Sequence, residues 1–143
     1  FGRMRFAMGQ NQLGLRAFGE FLTSGGFDPH LDKVRGVYKT KRDRLHAAFL
    51  QNRLDEFLEW DLPEGGFYLW AKLRDIGLEP LWRTAVHEGI AVNSGKGFTP
   101  GGALVGDAEH IRIAYPWTPI EHFEDAAARL RAACERVANG DAA

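Results

Sequence analysis

A single cysteine, Cys134, is all that the 143 residues contain, so no disulfide can close within the chain, and a lone thiol fits a reducing compartment. Its place in an apolar-periodic stretch marks it as buried and inert rather than nucleophilic. An excess of charge of one sign is also missing: 18 basic residues stand against 19 acidic ones, a formal net charge of −1, and no basic stripe is present that could neutralise phosphates. No apolar run approaches the roughly 18–20 residues of a membrane span, and the N-terminus has neither a signal-peptide core nor a transit-peptide composition. Nucleic acid and membrane are therefore not expected as partners of this segment, and a cytoplasmic protein is.

Common catalytic signatures are lacking as well. Residues 89–96 superficially resemble a phosphate loop, but five residues rather than four separate Gly89 from Gly95, and Gly97 stands where a magnesium-binding Ser or Thr belongs. The histidines at 30, 46, 87, 110 and 122 never form a His-x-x-x-His pair, and His87-Glu88 lacks the second histidine of a zinc-protease motif, so no metal site is expected. No Gly-x-Ser-x-Gly elbow occurs, and neither Ser24 nor Ser94 has a histidine at a diagnostic distance.

What is present is an ordinary globular composition, 45% apolar and 26% charged, in a length that suits one core. The first residue is Phe1, and the chain runs directly into a helical pattern, which leads to the expectation of a domain cut from something longer. Apolar spacing predicts a helix over 3–23, stopped by Ser24-Gly25-Gly26. Asp28-Pro29 reads as an N-cap with proline in the first turn of a second helix, on which Leu31, Val34, Tyr38, Leu45 and Phe49 recur at three, four, seven and four residues. Its other face, with Lys33, Lys39, Lys41, Arg42 and Arg44, reads as solvated.

Aromatic-rich strands are predicted at 57–60 and 67–71, joined by the turn chemistry of 61–66. A short helix over 80–87 closed by Gly89, a strand at 90–92, an irregular glycine-rich stretch over 93–102 and a strand at 110–115 follow. Thr118-Pro119-Ile120-Glu121 matches a capping box opening a last helix, with Ile120, Phe123, Ala127, Leu130, Ala133 and Val137 inward. The order α-α-β-β-α-β-β-α implies an α+β fold, a small, mainly antiparallel sheet packed against helices.

One residue invites a functional reading. Arg112 lies between Ile111 and Ile113, so on a strand it projects to the face opposite two β-branched apolar side chains. The planar guanidinium matches two carboxylate oxygens at once. Spacing alone leaves open whether Arg112 grips such a ligand, points to solvent or pairs with an acid on a helix.

Taken in order, Glu64-Gly-Gly-Phe-Tyr-Leu-Trp70, the loop 95–98 and Ile111-Arg112-Ile113 resemble the corresponding runs of class I/II, fold-type I, pyridoxal-phosphate (PLP) dependent aminotransferases. Upstream, Phe21-Leu-Thr-Ser-Gly-Gly-Phe-Asp-Pro-His-Leu31 and Tyr38-Lys-Thr-Lys-Arg-Asp-Arg-Leu45 look like the helices that begin the C-terminal small domain of that family. The resemblance implies a linking helix over 1–26, a small domain over 27–138 and a tail over 139–143. It implies that Arg112 binds the α-carboxylate of an amino-acid substrate, with Gly65 and Gly66 allowing backbone close to the substrate channel and Phe98 near the substrate. For the glycines a plain turn, and for Phe98 a cap on the core, explain the residues as well.

The lysine, the acid and the phosphate donors that hold PLP in the family belong to a larger N-terminal domain, so no catalytic residue is expected in this chain, and no cofactor on this chain alone. Lys96 is no substitute, because it lies in the loop before Arg112, whereas the family's lysine precedes everything in this sequence. The implied partners are that large domain on the same polypeptide, a second copy in a homodimer, and amino-acid and 2-oxo-acid substrates. Two further readings remain: the effector-sensing part of a transcriptional regulator with a winged-helix domain ahead of it, and a non-catalytic α+β interaction module.

Overall fold

The computed structural model describes residues 11–95, 98 and 109–141. By contacts the chain divides into 1–37 and 38–143, a boundary that falls inside the second helix, and each unit is described by itself.

In the first unit, helix α1 (Gln12–Thr23) opens at Asn11, whose side-chain oxygen accepts from the Gly14 N–H at 3.0 Å. It ends as Gly25 turns left-handed at φ +77. Residues 1–10, where the expected helix was to begin, lie outside the described residues. Helix α2 (Phe27–Gln51) starts one residue before the expected Asp28 cap. The His30 N–H already reaches the Gly26 carbonyl at 3.2 Å, so Asp28 and Pro29 both sit within the first turn. Proline has no N–H to lose there, and an acid complements the positive end of the helix. Phe18 and Phe21 meet Phe27 edge-on at 6.3 and 6.1 Å.

The second unit is built on a four-stranded sheet of order β1-β2-β4-β3, antiparallel throughout. Strand β1 is Leu58–Trp60, β2 is Tyr68–Leu73, β3 is Asn93–Ser94 and β4 is His110–Ala114. Helices α3 (Leu78–His87), α4 (Phe123–Ala138) and the later turns of α2 cover one face. Leu69, Ala71, Leu73 and Ile111 from the sheet meet Leu45, Phe49, Leu81, Ala85, Ala127, Leu130 and Cys134 from the helices in one core. The α+β order read from the sequence is the order observed.

Several boundaries differ for local reasons. A short 3₁₀ turn, Leu54–Glu56, delays β1 to Leu58, and β2 runs on to Leu73 because Glu59 and Leu58 pair with Lys72 and Leu73. The strand expected at 90–92 forms instead at Asn93–Ser94. The N–H of Ile90 closes α3 on the Ala85 carbonyl at 2.8 Å after a left-handed Gly89, so the apolar run beyond that helix is a capping contact and a loop of which only Val92 is buried. The capping box at Thr118 does not form. A 3₁₀ turn, Ile120–His122, precedes α4, no side chain caps Pro119 or His122, and the Thr118 carbonyl accepts from Lys41 Nζ at 3.0 Å. The tighter turn rotates Ile120 off the buried stripe, leaving it 37% exposed.

Lys41 also donates to the Pro116 carbonyl, and Arg42 Nη1 donates to the Pro63 carbonyl at 2.8 Å. The basic face of α2 is thus only partly solvated: Lys33, Lys39 and Arg44 are exposed, while Lys41 and Arg42 tie the helix to the loops around β2 and β4.

Candidate functional site

Strand alternation places Tyr68, Trp70 and Lys72 of β2, with His110, Arg112 and Ala114 of β4, on the sheet face away from the helices. The register sets Arg112 directly between Trp70 on β2 and Asn93 on β3. Arg112 is half-buried. Its guanidinium carbon lies 4.1 Å from the centre of the Tyr68 ring and 4.0 Å from that of Phe98. Two rings cannot occupy the same side at that distance, so the cation is held between them. Trp70 meets Phe98 edge-on at 6.1 Å and stacks on His110 at 5.4 Å.

No acid or carbonyl pairs with this guanidinium among the described residues, and its Nε is buried without a hydrogen-bond partner. Of the readings left open by spacing, pairing with a helix acid is therefore not seen. Two ring centres within 4.1 Å of its guanidinium carbon also set Arg112 apart from a solvated arginine. A cation held by rings, with no counter-ion among the described residues, has N–H donors to offer an incoming planar anion.

The residues singled out in the sequence fall in two places. Phe98 and Arg112 come together. Gly66 is left-handed at φ +93, and its carbonyl accepts the hydroxyl proton of Tyr115 at 2.7 Å, three residues past Arg112. Gly65 has open space where a side chain would begin. Both glycines form the turn that leads into Tyr68. Tyr115 is almost wholly buried, and that burial pushes its phenol above the ordinary range, opposed by the nearby charge of Arg42. Lys96 lies outside the described residues.

Sequence reading missed Tyr68, Trp70 and His110. The alternation over 67–71 already put Tyr68 and Trp70 on one side, but nothing local told that β2 lies against β4 in a register that brings them to Arg112.

Elsewhere, a cavity of about 520 Å³ opens on the helical side, with Leu45, Phe49, Ile113, Phe123 and Leu130 among its walls. Its rim arginine, Arg129, is already paired with Asp125 at 2.8 Å, and the cavity is remote in character from the cationic face. Among the described residues no group of His, Cys, Asp and Glu could hold a metal. No described helix is long and apolar enough to cross a membrane.

A small antiparallel sheet backed by helices is the small-domain fold of PLP-dependent, fold-type I aminotransferases, and the chain is of that fold. No protein-family model matches it. It is similar to the HTH-type transcriptional regulator YdfD of Bacillus subtilis, 30% identical over 123 residues, covering 85% of this chain and 24% of that protein. It is equally similar to a 2-aminoadipate transaminase of Thermus thermophilus, 30% identical over 114 residues, covering 76% of this chain and 27% of that one. Among solved structures, the α-aminoadipate aminotransferase LysN from Thermus thermophilus, complexed with N-(5'-phosphopyridoxyl)-L-leucine, superposes with a TM-score of 0.71 at 26% identity. That match covers 81% of this chain and 29% of LysN. The chain thus spans about a quarter of the length of the curated relatives it matches.

Lys41 is spent on two backbone carbonyls, Lys33 and Lys39 are exposed on α2, and Lys72 stands opposite Glu59 on the open sheet. None of these gathers the acid and the cradle of phosphate donors that the cofactor needs.

Proposed function

We propose that this chain is the substrate-clamping C-terminal part, residues 27–138 after a linker over 1–26, of a cytoplasmic PLP-dependent aminotransferase that works as a homodimer. The observation that carries the reading is Arg112, a cation without a counter-ion among the described residues, on the sheet face away from the helices. Its fork accepts the α-carboxylate of an amino acid or 2-oxo acid, and each charge-assisted hydrogen bond contributes about 1.5–3 kcal/mol. The rings round it exclude water from one side of that contact and so strengthen it. PLP, held by a larger domain outside this chain, supplies the electron sink for amino transfer. Tyr68, Trp70 and Phe98 are 45%, 36% and 47% exposed around Arg112, which supports a face that a second domain closes over, and weighs against a free-standing interaction module.

The test is Arg112→Ala in the full-length protein that carries this chain. A fall of about 100-fold or more in kcat/KM for the amino donor is expected, the equivalent of about 2.7 kcal/mol in transition-state binding. An unchanged value would remove Arg112 from the site.

A second reading is favoured by the match to YdfD, a transcriptional regulator, over 85% of this chain. There the same face would bind an amino-acid effector, with a winged-helix domain further upstream. Sequencing the coding DNA ahead of the Phe1 codon separates the two, since an in-frame winged-helix segment makes the protein a regulator.

A further inference from the structure

An arginine that must meet a ligand needs to be held in place without being neutralised. An acid partner fails the second requirement, because it occupies the N–H fork and cancels the charge. In this protein no acid pairs with Arg112 among the described residues, and the buried Nε has no acceptor, so among those residues an ion pair does not account for where the guanidinium lies. The contacts that remain are with ring faces, Tyr68 at 4.1 Å and Phe98 at 4.0 Å. Both are well inside the roughly 6 Å over which a ring quadrupole attracts a cation. Contacts of this kind hold the charge without the acceptor oxygens of an acid, which would both bind the N–H donors and cancel the charge.

The two rings have different support. Tyr68 is carried on β2, two pairs along from the Trp70–Arg112 pair and on the same face, so the sheet itself sets its position. Phe98 belongs to the loop after β3, where its N–H reaches the Gly95 carbonyl at 3.0 Å. Its ring is braced by the edge contact with Trp70, itself stacked on His110. We infer that Tyr68 and Phe98 are positioning residues whose rings hold the Arg112 guanidinium for a planar carboxylate. This rests on the reading of Arg112 as the carboxylate clamp.

The test uses the full-length protein with the L-amino acids as probes. Dissociation constants are measured by titration calorimetry, and the tightest binder is carried forward. Arg112→Ala, Phe98→Leu, Tyr68→Leu, Phe98→Tyr and Tyr68→Phe are compared, with thermal melting as the folding control and the Arg112 Nε–H resonance as a spectroscopic reporter. In the wild type that resonance is expected to be shifted upfield by the two rings. Each leucine variant is expected to relieve part of the shift and to weaken binding about tenfold at unchanged melting temperature, while the two aromatic exchanges restore both. If Arg112→Ala abolishes binding while both leucine variants bind as the wild type does, the positioning role is overturned and the clamp stands. If no L-amino acid binds, or Arg112→Ala binds normally, the clamp falls and the positioning role falls with it.

Discussion

Cys134 and Tyr115 are two buried groups whose protons the fold needs. Burial lifts the Cys134 thiol to about 12 from its ordinary 9.0, because a thiolate in the core between α4 and its neighbours has no water to solvate it. The folded state therefore holds its proton more tightly than the unfolded chain. Its contribution to stability is whole below pH 9 and is lost as pH rises from there to about 12. Urea titrations between pH 8 and 11 are expected to show a falling midpoint that flattens in Cys134→Ala, and a thiol reagent is expected to label Cys134 only as the protein unfolds. At Tyr115 the hydroxyl hydrogen bond to Gly66 closes the turn that delivers Tyr68. Tyr115→Phe leaves that carbonyl without its partner and should cost about 1 kcal/mol, read as a shift in the urea midpoint.

At the scale of elements, the legible features were those set by local periodicity. The stripe Phe123, Ala127, Leu130 and Ala133 on α4 is buried as its spacing implied, and Cys134 joins it. Leu130→Ala would open a cavity where α4 meets the core, at a cost of about 2–5 kcal/mol, measurable by chemical denaturation. Boundaries were less legible, because groups distant in sequence compete for them. Lys41, some 77 positions from Thr118, takes the Thr118 carbonyl, and the helix starts only after a 3₁₀ turn. The strand expected at 90–92 forms instead at 93–94 for a related reason: the backbone of Ile90 caps α3 while its side chain packs against the core that Val92 fills, and such packing mimics strand composition.

For the whole molecule, burial is unevenly shared. No residue of α1 is buried, whereas α2 near Leu45 and Phe49, β2 and α4 carry the core. Amide exchange is expected to be fast through 12–23 and slowest at Leu69, Ala71, Ile111 and Leu130, since protection follows the number of buried contacts that must open. Uniform protection along the chain would contradict this.

The sequence by itself determined the order of helices and strands, the two faces of each strand and the projection of Arg112 away from the core, because all three follow from periods of 3.6 and 2 along a single segment. It marked Phe98 through the resemblance it bears. Only the tertiary structure decided that β2 pairs with β4 so that Trp70 lies across from Arg112, that Tyr68 and Phe98 enclose the cation, and that Lys41 and Arg42 leave the solvated face of α2 for backbone carbonyls. Strand register and long-range hydrogen bonds depend on the joint packing of segments far apart in the chain, and no local pattern encodes them.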